Sequence, residues 1–190
     1  MAEPMDVARH LIWLATQEEE PDYLTHLQLQ KLLYYVQGWH LAVFGTPLFA
    51  GRIEAWKYGP VVREVYPQFA EFRYQPIPAE RGAESGRLTA AQRAFIDSVW
   101  QEYKRYSPSG LREMTHREPP WLDARRGYGP DDRCDAEISH EAMRAHFAER
   151  QRERAVPGLD VADVYAAIEE FDRGGGRDHT DVFARLRARS

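Results

Sequence analysis

Seven histidines, thirty acidic residues and one cysteine carry most of the chemistry this sequence could perform. His116 stands two positions before Glu118. A histidine beside a carboxylate can act as a general base, so a hydrolase-like enzyme using His116 with Glu118 or a nearby aspartate is one reading. Such a base needs a nucleophile or a metal to work on. No Gly-x-Ser-x-Gly, P-loop or Gly-x-Gly-x-x-Gly pattern occurs, and Gly174-Gly175-Gly176 lacks the Lys-Ser/Thr pair of a phosphate cradle, so it reads as a hinge. Cys134 lies among Asp131, Asp132 and Asp135, whose negative charge disfavours a thiolate. His140-Glu141 and His146 miss the i,i+4 spacing of a zinc-binding helix. We therefore assign no catalytic residue, no metal ligand and no cofactor. The other reading of His116 is a ring that hydrogen-bonds a backbone carbonyl and fixes its loop.

The aromatic residues offer a different chemistry, that of contact. Trp56 and Tyr58 flank the rigid Gly59-Pro60 step, and Trp121 follows Pro119-Pro120. Large aromatics usually fill cores. Held on rigid turns they can instead line a groove, and Trp and Tyr dominate interface hot spots at about 2 kcal/mol or more per truncation. Tyr34 and Tyr35 fall on adjacent helix positions, so one can pack inward while the other faces a groove. The expected partner-binding set is Tyr35, Trp56, Tyr58, His116 and Trp121.

Helices must position these side chains. Val7, Leu11 and Leu14 recur at helical intervals between Met5 and Thr16, and the acidic run ending at Pro21 closes that segment. Thr25 and Gln28 have capping-box spacing for a second helix, which runs through Leu29, Leu32, Val36 and Val43 to a left-handed cap at Gly45. Gly38 inside it predicts a close helix crossing. Alternation from Phe49 to Lys57 predicts a strand. Pro60 then opens a helix through Val61, Val62, Val65, Tyr66 and Phe69, cut short by Pro67. Residues 73–87 read as a loop, and Thr89 with Gln92 caps a helix to Tyr103. Ser109 caps a short helix from Gly110 to Thr115, and Pro119-Pro120-Trp121 opens one helical turn. Asp135 to Ile138 is expected to pair with the Ile53 segment, and Ser139 to cap a helix holding Met143 and Phe147.

The fold class that follows is mainly α, an α+β arrangement with a minor two-stranded β element and six to eight helices around one core. Two parts are expected: a domain over residues 1–155 and a helical C-terminal extension over residues 156–190. That extension is capped by Asp160, ends at Gly174, and either docks on the domain or contributes to a homodimer.

The totals bound the function. With 190 residues, 43% of them apolar and 12% aromatic, the chain can build its own core. A formal net charge of −5 opposes nucleic-acid wrapping and weakens a DNA-binding regulator of its own operon as a reading. No apolar run reaches the roughly 18 residues of a membrane span, and no export leader is visible. One cysteine cannot close an internal disulfide, which fits a reducing compartment, and the expected location is the cytoplasm.

The run from Leu29 through Lys31 and Tyr35 to Gly38, then Gly45-Thr46-Pro47-Leu48-Phe49 and Ala55 to Val62, resembles the Panacea domain, also called SocA-like. Leu111 to His116 followed by Glu118-Pro119-Pro120-Trp121 is similar to that family's second block. The likeness spans roughly residues 5 to 150. It implies a mainly helical domain acting as the antitoxin of a toxin–antitoxin pair, with a cognate protein toxin as its partner. The family motifs carry no catalytic residue to transfer.

Overall fold

The structure, a computed structural model, describes residues 1–18, 23–83 and 86–154. The expected extension over residues 156–190, with its Asp160 cap and Gly174 end, lies outside the described residues, as does most of the acidic run before Pro21.

Helix α1 spans Pro4–Thr16, and α2 spans His26–Phe44. The Thr25 hydroxyl accepts the Gln28 amide N–H at 3.3 Å while Gln28 Oε1 accepts from the Thr25 N–H at 3.0 Å, so the predicted capping box closes both ways. Gly45, at φ 69°, ends α2 in the left-handed conformation that a Cβ disfavours. Every residue from Gln28 to Gly38 is buried, which makes α2 the axis of the domain rather than a one-sided amphipathic element.

An antiparallel hairpin follows, β1 at Ile53–Trp56 and β2 at Gly59–Val62, with Ile53 opposite Val62 and Trp56 opposite Gly59. Here the structure overturns the helix expected from Pro60. Gly59, at φ 98°, turns the chain back, and the short run Pro60-Val61-Val62 is wholly buried. Buried on every side, such a run shows no periodicity that separates strand from helix. The expected pairing of β1 with the Asp135 to Ile138 segment is also present, as an isolated bridge along its other edge, with Ala55 N–H donating to Ala136 O at 2.9 Å and Ile138 N–H to Ile53 O at 2.8 Å, while β2 rather than this segment is the second strand of the sheet.

The outer edge of β2 is satisfied by side chains of α2. Gln30 Oε1 accepts the Val62 N–H at 2.8 Å, and Lys31 Nζ donates to Pro60 O at 2.9 Å. Gln37 does the same for the preceding loop, accepting from Leu48 N–H and donating to Phe49 O. Three polar residues thus sit on the domain axis because each completes a backbone group that would otherwise be orphaned.

The remaining helices are α3 (Tyr66–Phe69), α4 (Ala90–Tyr103), α5 (Pro108–His116), α6 (Pro119–Ala124) and α7 (His140–Arg154). Seven α-helices among the described residues, with one two-stranded sheet, give a mainly α fold with a minor β element. Thr89 and Gln92 form the expected box on α4. The cap of α5 is Ser107, whose hydroxyl accepts the Gly110 N–H at 3.1 Å, and not Ser109 as the sequence suggested. Pro108 at the first helical position starts that helix two residues early, since a missing first-turn N–H costs nothing there. Ser139 accepts the Ala142 N–H and opens α7 as expected. Helix α7 crosses α2 at Gly38, where an added Cβ would run into the Phe147 ring.

Candidate functional site

The hairpin, the start of α2 and α5 enclose an open groove of about 860 Å³. Trp56 and Tyr58 form one wall, with Tyr66, Arg73 and Tyr74 continuing it and Lys31 and Arg112 at its floor. Tyr58 is 53% exposed and Tyr74 87%. The aromatic wall is layered: His26 packs on Tyr66 at 4.6 Å between centroids, and Tyr66 on Trp56 at 4.5 Å. Trp56 is held in place by its own Nε1–H, which donates to Glu54 Oε2 at 2.6 Å.

Trp121 and His116 stand behind this wall. Trp121 is 8% exposed and its Nε1–H donates to Trp56 O at 3.0 Å, which ties α6 to the end of β1. The His116 ring stacks on it at 4.0 Å and 9°. Beneath Trp121 the Arg125 guanidinium donates to three carbonyls, those of Ala55, Gly129 and Asp132, each at 2.9 Å. Trp121 and Arg125 therefore brace the hairpin that presents Trp56 and Tyr58.

Tyr35 is not on the groove. It is 0% exposed, stacks on Tyr103 at 4.0 Å and donates its hydroxyl to Glu118 Oε1 at 3.2 Å. The same oxygen accepts from Arg150 at 2.8 Å, with His146 Nε2 3.8 Å away. Glu118 thus joins α2 and α7 to the segment between α5 and α6. Burial first, and then the Glu118 charge, push the Tyr34 and Tyr35 phenols well above their ordinary value.

With Glu118 engaged there, the expected pairing of His116 with a carboxylate is not formed. Its Nε2 is buried without a hydrogen-bond partner, and the ring is fixed by stacking rather than by the backbone carbonyl anticipated from sequence. Burial, then the charges of Arg112, Lys31 and Arg125, push His116 down to about 4. A ring so placed is neutral near pH 7. No group of three or more His, Cys, Asp or Glu among the described residues could hold a metal ion.

Lys31 is the residue that sequence reasoning passed over. It is 0% exposed in mid-helix, and burial, with the Arg112 charge added, lowers its ammonium to about 7. The signal was available: a lysine inside an unbroken stretch of core positions must either reach solvent or find acceptors. His26 beside it is pushed to about 4, by burial first and then by Lys31. Gly59 lets the hairpin close over the lysine, since a Cβ there would lie 2.5 Å from Lys31 Cε.

These features define a helical domain with a small braced hairpin and one aromatic, cation-floored groove. Residues 29–122 match the model of the family described as "Antitoxin SocA-like, Panacea domain", and that part of the chain belongs to this family. The match begins within α2 and ends within α6, a narrower span than residues 5 to 150, and it contains Trp56, Tyr58, Arg112, His116 and Trp121. Antitoxin SocA of Caulobacter vibrioides is 49% identical over 47 residues, a stretch that covers 25% of this chain and 25% of that protein. No solved structure matches. No helix among the described residues is long and apolar enough to cross a membrane.

Proposed function

We propose that this chain is the antitoxin of a toxin–antitoxin pair and neutralises a cognate protein toxin by direct binding, with the groove of Trp56 and Tyr58 as the contact surface. The observation that carries this reading is an open aromatic groove whose Trp56, Tyr58 and Arg112 fall inside the family-matched segment and whose hairpin is held rigid from behind by Trp121 and Arg125. Half-exposed Tyr58 and the wall residue Trp56 are the side-chain types that supply hot-spot energy, and a braced hairpin presents them at little ordering cost. Tyr35, His116 and Trp121 act from the interior, by fixing the elements on which the groove is built. A stable complex buries at least about 1,200 Å² in total, so contacts extend past the groove to its rim.

The test is co-expression with the product of each adjacent gene. Protection from a toxic neighbour is expected, and Trp56→Ala is expected to abolish it while the purified chain still unfolds in one cooperative transition. Protection unaltered by both Trp56→Ala and Tyr58→Ala would remove the groove from the interface. Failure to protect against any neighbouring product would remove the antitoxin reading.

A further inference from the structure

The groove carries more positive charge than the chain around it accounts for. Its lining holds five basic side chains, Lys31, Lys57, Arg73, Arg112 and Arg133, against two carboxylates, Asp131 and Asp135, in a chain whose formal charge is −5. Lys57 and Asp131 neutralise each other at 2.7 Å. Among the described residues no carboxylate pairs with Lys31 or Arg112. Lys31 spends one of its three donors on Pro60 O. The Arg112 guanidinium lies over the Tyr58 ring at 5.3 Å, and its Nε is buried with no hydrogen-bond partner. Arg125 shows the contrast, because three carbonyls occupy its donors.

A buried donor without an acceptor costs about 1–3 kcal/mol, and a cation without a counter-charge costs more. An anion at the floor of the groove relieves both. We propose that the groove is a receptor for an acidic segment of the partner protein, one of whose carboxylates docks on Arg112 above Lys31 while apolar neighbours pack on Trp56 and Tyr58. This rests on the reading of the chain as a toxin-binding module and gives the chemistry of the surface it grips. A duplex would need its cations spread along a track to follow successive phosphates. Here they gather in one concavity walled by aromatic rings, which fits a carboxylate flanked by apolar side chains.

The probe is a fluorescein-labelled decapeptide of alternating Glu and Leu, with a Lys and Leu counterpart, titrated with the full chain and read by anisotropy at low salt. Saturable binding of the acidic peptide alone is expected, weakening about tenfold with Arg112→Glu and about threefold with Arg133→Glu at unchanged melting temperature. If Arg112→Glu does not fold, Arg112→Met keeps the stem over Tyr58 and is expected to weaken binding as well. Equal affinity for the two peptides, or affinity unaffected by these substitutions, overturns the proposal. So does displacement of the peptide by a duplex from the upstream region of the gene. In co-expression, protection lost in Trp56→Ala but kept in both arginine variants would leave the antitoxin reading standing and sink the acidic-segment inference.

Discussion

Replacing Gly38 by Ala is expected to destabilise the domain although alanine is the better helix former. On propensity alone the change would gain about 1 kcal/mol. The added Cβ, however, meets three atoms of the Phe147 ring, with the least crowded, Cζ, at 2.7 Å where about 3.5–4 Å is comfortable. The ring cannot swing aside. It is 0% exposed and edge-packed by Tyr34 at 5.6 Å, Trp39 at 5.2 Å and His146 at 5.1 Å, with the Arg150 guanidinium at 5.8 Å. Helices α2 and α7 must therefore part by about 1 Å, and overpacking of this kind costs about 1–3 kcal/mol or somewhat more. With the cost at the upper end of that range and the propensity gain subtracted, the net loss is about 1–2 kcal/mol, a fall of about 2–8 °C in melting temperature for a domain of this size. Thermal and urea denaturation measure it, and a double-mutant cycle with Phe147→Leu locates it. In the Phe147→Leu background the same alanine should be neutral or favourable. An alanine that stabilises the unaltered protein, or costs as much in both backgrounds, would refute the close crossing.

Three further outcomes follow from the buried charges. Glu118→Ala leaves the Tyr35 hydroxyl and the Arg150 guanidinium without their acceptor and should cost about 3 kcal/mol in urea denaturation, with Glu118→Gln losing less because an oxygen remains. His26 and His116 are held near 4 when folded and titrate at their ordinary value when unfolded, so the unfolded chain binds more protons between about pH 4 and 6.5. Stability should fall across that window on acidification, by about 1 kcal/mol per ring after allowing for partial exposure, and His116→Gln should flatten part of the slope. Lys31 is held near 7 when folded against an ordinary value of 10.5, so stability should rise with pH between those limits, and Lys31→Met should remove the rise in denaturant midpoints taken from pH 7 to 10.

Local signals in the sequence located most of the helices. Thr25 with Gln28 and Thr89 with Gln92 specify their caps by side chains three positions apart, and Gly45 marks a left-handed stop, so these boundaries need no tertiary information. The crossing at Gly38 was legible for the same reason, a residue whose cost demands a steric return. The hairpin was only half legible. Pro60 to Val62 reads as a helix start by proline placement, and its strand identity comes from Gln30 and Lys31, thirty positions earlier, which supply its missing partners. At the candidate site, aromatic placement marked Trp56 and Tyr58, which the groove brings together. It could not separate them from Trp121 and His116, which stand on α6 and α5 behind the hairpin, because residue type alone does not say which face of an element is turned to the core. Tyr35 was assigned to a surface by helix phase alone, and α2, buried all round, has no outward phase along that stretch.

The occupied flanks of the hairpin limit how this protein can be recognised. A free ribbon edge is a template that any extended peptide can lengthen through main-chain bonds, with little regard for its sequence. Here amide and ammonium groups of the axial helix saturate one flank, and residues 136–138 saturate the other. Strand addition is closed off, so a ligand must be read by the rings and charges that project from the ribbon, and exchanging a few of those would retune which partner fits while the scaffold beneath stays as it is.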